Sequence, residues 1–113
     1  MNYLIDEEKV PWGEHPSVKQ GKFALLFSKD EGSRATIVMV KLPKGAEHHM
    51  HDHGESDDIL YILRGKAKME VEGVGSFDLK KGSVFRAPAH VRHRLYDITE
   101  ELVVYGVYVP PNR

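Results

Sequence analysis

Apolar and polar positions alternate strictly through residues 66–72. Ala67, Met69 and Val71 fall on one face, and Lys66, Lys68, Glu70 and Glu72 on the other. That is the two-residue period of a half-buried antiparallel strand. The runs "DILYIL" and "TIVMV" are apolar on both faces, which suits central strands covered on two sides, with a subunit contact as one such cover. Other β-branched and aromatic runs, "KFALLF", "SVFRAP" and "LVVYGVYV", are set apart by Gly21, Gly32, Pro43, Gly45, Gly54, Gly65, Gly73, Gly82 and Pro88. Intervals of roughly 8–12 residues between turn signals are the spacing of short strands in a sandwich or barrel. No run extends to a capped helix of three turns, so the expected fold is all-β, a jelly-roll β-barrel of about eight or more strands.

Composition narrows the function classes. A chain of 113 residues is expected to form a single domain over 1–113, with one core. Charged residues are 29% and apolar residues 41%, as in ordinary globular proteins. Sixteen Lys and Arg against seventeen Asp and Glu leave a formal charge of -1, and neither sign forms a block, which argues against a nucleic-acid partner. The absence of cysteine excludes disulfides, thiolate metal sites and a cysteine nucleophile. Any metal is therefore held by nitrogen and oxygen. "MNYLIDEEKV" has no basic n-region, and no apolar run reaches the length of a membrane span, so no membrane partner is expected and the chain reads as cytoplasmic.

The chemistry gathers in "EHHMHDHGESDD", Glu47 to Asp58, which holds His48, His49, His51 and His53. Strand alternation places His49, His51 and His53 on one side and His48, Met50 and Asp52 on the other. Imidazoles at His-x-His spacing can each offer a neutral nitrogen to one cation. Asp57 and Asp58 follow a bend at Gly54 and open the next strand, where either carboxylate would face the histidines. His90 and His93, in "KKGSVFRAPAHVRHRLYD", lie on a segment that a jelly roll folds back beside the first cluster.

These residues resemble the two sequence motifs of the cupin superfamily. In "GAEHHMHDHGESDDILYILRG", Gly45, His51, His53, Asp58 and Gly65 fall on the first motif. In "GSVFRAPAHVRHRLYD", Gly82, Pro88, His93 and Asp97 fall on the second. Three positions depart from the pattern: the usual glutamate is Asp58, with Asp57 as a rival, a glycine is replaced by His90, and a final asparagine by Asp97. The resemblance implies a small single-domain cupin of the conserved-barrel type, binding one divalent transition metal (Fe, Mn, Ni or Zn) through His51, His53, Asp58 and His93. It also implies a homodimer, with residues 1–16 as an arm across the partner subunit.

Two readings of function follow. One is a metal-dependent enzyme of dioxygenase, isomerase or decarboxylase type, acting on a small organic acid, sugar or aromatic diol. The alternative is a non-catalytic module that uses the metal to bind or sense a small ligand. For either, His49 and Arg86 are the expected pocket residues. His15 and His48 read as surface residues, and Tyr61, Tyr105 and Tyr108 as packing groups.

Overall fold

A computed structural model describes residues 3–113. It contains eight strands: β1 (Gly13–Glu14), β2 (Lys22–Phe27), β3 (Thr36–Leu42), β4 (His48–His51), β5 (Asp57–Val71), β6 (Gly75–Lys80), β7 (Val84–Ala87) and β8 (His93–Val109). Two single-turn 3-10 helices, Glu7–Lys9 and Lys29–Glu31, are the only helical segments among the described residues. All strand pairs are antiparallel, in the order β1-β2-β3-β8-β5-β6, with β4 also on β8 and β7 also on β5. The all-β expectation is met.

The long strands β5 and β8 give the barrel its shape because each passes from one wall to the other. Their pairing is irregular between Ile62 and Lys68. Before that bend the buried positions of β5 are Asp58, Leu60 and Ile62, and after it Ala67, Met69 and Val71, so the inward parity switches from even to odd. β8 makes the reverse switch, from His93 and Leu95 to Ile98, Leu102 and Val104. Its turning point is Asp97, a non-glycine residue in left-handed conformation (φ 48°). These switches keep a two-residue alternation aimed at one interior on both walls. Leu42, Ile62, Met69, Leu102, Val38 and Val104 fill that interior, each worth roughly 1.5–3 kcal/mol of burial.

Outside the barrel, Met39, Tyr105 and Tyr61 form one cross-strand row, and both tyrosines are exposed. The second half of the expected arm folds onto its own sheet. β1 pairs with β2, and the Trp12 ring lies 4.4 Å from the Lys41 ammonium. Met1 and Asn2, at the start of that arm, lie outside the described residues. No helix among the described residues is long and apolar enough to cross a membrane.

Candidate metal centre

β4 supplies the first histidines through an irregular pairing. His48 stands opposite Leu95 and His51 opposite His93, so three steps on β4 match two on β8. The extra residue is a β-bulge, which breaks strict alternation and re-aims side chains. It corrects the expectation from sequence that His48 faces away: His48, His49 and His51 all line the interior cavity, His49 as an exposed residue.

The tautomers of two imidazoles are set by backbone carbonyls. His51 Nδ1 donates to the His49 carbonyl (2.6 Å), and His93 Nδ1 to that of Val91 (3.0 Å). A carbonyl only accepts, so the proton sits on Nδ1 and each Nε2 is left to bind something else. One coordinating atom from each of His51, His53 and His93 lies within 4.8 Å of the others. Their convergence needs both halves of the chain, because β4 reaches His93 only through its pairing with β8.

Asp58, the first inward residue of β5, joins this group. It is 3% exposed, and its Oδ2 lies 3.0 Å from His93 Nε2 and 3.2 Å from His53 Nε2. Asp57 points elsewhere, accepting from the Ala89 amide and the Arg86 side chain. Of the two carboxylates, Asp58 is the one that faces the histidines. Its Oδ1 is buried without a hydrogen-bond partner, and the buried Nε2 of His53 makes only the unaligned 3.2 Å contact with Oδ2, an unfavourable state for polar atoms that a shared cation would relieve. Two ligand atoms at right angles, each about 2.1 Å from one cation, stand about 3.0 Å apart, so the Asp58 spacings fit such an ion, whereas the three imidazole nitrogens, up to 4.8 Å apart, would have to draw together around it.

Burial works against the charged forms of both Asp58 and His93, and their contact overrides it. Asp58 is held below the usual carboxylate range by the imidazoles of His53 and His93, and His93 is raised by Asp58 and by the Val91 carbonyl. In the metal-free protein a proton on His93 thus occupies the place a cation would take. Burial, reinforced by the neighbouring histidines, lowers His51 to about 3, and burial with His48 and Arg113 lowers His15 to about 4. The signs oppose one another. The His93 contribution to stability is complete below the unfolded value near 6.5 and is lost as pH rises through its folded value. Those of His51 and His15 are present above 6.5 and are lost as pH falls towards about 3 and about 4. The melting temperature of metal-free protein should therefore peak near pH 6.5 and fall on both sides. A steady rise from pH 5 to 9 in chelator would contradict this charge assignment.

The four residues lie in the wall of a cavity of about 170 Å³. Leu60, Met69, Leu95 and Val104 make much of the wall apolar, and Tyr108, His15, His48 and Arg113 contribute polar groups. Burial and the Asp58 charge push the Tyr108 hydroxyl well above its usual value, so it stays protonated. Arg86 is not in this wall. It pairs with Ile59 across β7 and β5, its exposed side chain bonds Asp57, and it borders a separate groove. His90 is also outside: in left-handed conformation (φ 67°), it accepts the role a glycine would play in the turn, and its ring contacts Glu55.

The cupin domain family's sequence profile matches residues 38–110, well over half of the chain and both histidine clusters. This chain belongs to the cupin family. Among its relatives, the pectin degradation protein KdgF of Dickeya dadantii is 29% identical over 108 residues, spanning 96% of this chain and 92% of that protein. The crystal structure of a "predicted oxalate decarboxylase" from Thermotoga maritima superposes with a TM-score of 0.81 at 21% identity, covering 95% of this cupin and 98% of that chain. KdgF from Halomonas sp. gives a TM-score of 0.78 at 23% identity, covering 95% and 94%. Both structures share the double-stranded β-helix of this cupin. The three-histidine cluster described above is typical of cupin metal sites.

Proposed function

We propose that this cupin is a mononuclear metal enzyme acting on a small organic acid, with sugar acids the favoured class. His51, His53, His93 and Asp58 would hold Fe, Mn, Ni or Zn, a choice that nitrogen and oxygen ligands leave open. The observation that carries the reading is the buried cluster beside an accessible cavity: Asp58 Oδ1 has no hydrogen-bond partner, and His53 Nε2 lies 3.2 Å from Asp58 Oδ2 without making an aligned hydrogen bond. A closed structural site would have no need of that cavity. Bound there, the cation supplies Lewis-acid chemistry and positions for an incoming ligand.

The remaining chemistry belongs to the chain. Three neutral imidazoles and one carboxylate leave a divalent site with net positive charge, which favours an anionic ligand. Arg113 adds a second cationic group on the same wall, in the role the sequence had suggested for Arg86. The apolar wall excludes water and strengthens both interactions, and the protonated Tyr108 is a neutral hydroxyl donor beside them. The likeness to a pectin degradation protein supports the sugar-acid class. Dioxygenase, isomerase and decarboxylase chemistry all suit such a layout.

Elemental analysis of untagged protein, run with oxygen-uptake and product assays on uronates and dicarboxylates, tests this. About one metal per chain is expected, lost as pH falls, because the proton that His93 takes up beside Asp58 competes with the cation. Full occupancy at pH 4 would argue for other ligands. Zinc or nickel without turnover of any acid would favour the binding module instead.

A further inference from the structure

His15 belongs to no motif and precedes the family match, yet its position is built with care. It begins a loop, residues 15–21, closed by hydrogen bonds from the His15 amide to the Gly21 carbonyl and from the Gly21 amide to the Val18 carbonyl, both 3.0 Å. Within that loop the ring nitrogen Nδ1 accepts from two backbone amides, those of Ser17 and Val18, each at 3.0 Å. The ring packs edge-on against Phe23 and His48, at centroid distances of 6.0 and 5.2 Å. Behind it, Gly21 leaves only enough room, since a Cβ there would lie 3.0 Å from the Cβ of His15. Rotation, flipping and retreat of the imidazole are all opposed.

Two amide donors on Nδ1 fix the protonation pattern. Nδ1 must carry its lone pair, so the neutral ring has its hydrogen on Nε2. The hydrogen bonds of the ring among the described residues both use Nδ1, and the ring lines the same cavity as His51, His53 and His93. It is an uncharged donor of fixed direction, on a wall that the metal ligands do not supply.

We propose that His15 reads the substrate: its Nε2–H donates to an oxygen of a small anionic acid whose other end is held at the metal centre. The inference rests on the metal-dependent reading above and adds a second pole to it. An acid spanning both poles needs two separated oxygen groups, as in a dicarboxylate or a hydroxy acid. A simple monocarboxylate with no second oxygen group, such as acetate, would satisfy one pole alone. Donor geometry of this kind discriminates more sharply than apolar contact, because a ligand that covers the half-buried His15 ring without offering the matching oxygen leaves its donor unpaired.

Zinc-loaded, 15N-labelled protein provides the test, with malonate and D-galacturonate as probes. Long-range nitrogen–proton spectra at neutral pH should show His15 as the Nε2–H tautomer, and its Nε2 signal should move on titration with at least one probe. The Nδ1–H tautomer, or a stationary His15 signal with both acids, overturns the proposal whatever the other histidines do. His15→Asn then separates donor from loop. The asparagine Oδ1 replaces Nδ1 as acceptor for Ser17 and Val18, and its Nδ2–H2, standing where Cδ2 was, falls short of the Nε2 position. Expected are unchanged zinc content and melting temperature with acid affinity reduced about tenfold or more. Equal affinity in both proteins overturns the proposal. Loss of zinc from the unmodified protein would instead overturn the metal reading, so the two failures are distinguishable.

Discussion

Replacing His51 and His93 together by alanine should abolish divalent-metal binding and leave a folded barrel. The two imidazoles supply half of the proposed ligand set, so affinity falls by far more than the roughly 10–100-fold that follows loss of an outer partner. Their structural costs differ. His51 is partly exposed, and its ring contributes little to the core. His93 is 2% exposed, and its removal takes the hydrogen-bonded partner from the buried Asp58 carboxylate. Breaking a buried pair on one side costs about 3–5 kcal/mol, so the double variant should melt earlier. It should still fold, because Leu42, Ile62, Met69 and Leu102 are untouched. Metal content and circular dichroism on the same sample separate the effects. A folded double variant with undiminished metal would sink the site assignment.

Gly65→Ala should be the most damaging single-methyl change in the chain. Gly65 closes the first cupin motif and sits at the bend of β5 with φ 101°. An added Cβ would overlap the Glu101 carbonyl and come within 2.8 Å of the Leu102 Cα. Both obstacles are backbone atoms of the paired strand β8, and neither can rotate away. The expected cost exceeds about 4 kcal/mol, the range reserved for severe clashes and core disruption. Gly82→Ala is the control. It shares a positive φ of 90° but has no atom near the new Cβ, so it should cost only the left-handed penalty of about 1–2 kcal/mol. Urea unfolding midpoints compare the two. Similar losses would mean that dihedral strain, rather than close strand approach, fixes glycine at position 65.

These effects show what a one-dimensional pattern carries and what it does not. The alternation at Ala67, Met69 and Val71 is visible in sequence because a regular strand turns burial into a period of two. The pairing of His51 and His53 with His93 is visible because motif spacing is a covalent distance along regular strands. The inward turn of His48 is not, since the bulge that causes it lies in the register between β4 and β8, which no local window contains. Arg113 and His15 were equally hidden. They stand outside the motifs at opposite ends of the chain and meet at one cavity only after the sheet has closed. Arg86 misled for the same reason: proximity to a motif in sequence does not say which side of β7 a residue takes.

The carbonyl of His49 accepts from the Nδ1 atoms of both His48 and His51. One peptide oxygen thus orients a cavity-wall ring and a metal-site ring together. Every amino acid carries that oxygen, so drift at position 49 can change the side chain at the rim and leave this coupling intact. A survey of side-chain variation would score the position as dispensable, although the atom that aligns its two neighbours is among the least replaceable in the stretch.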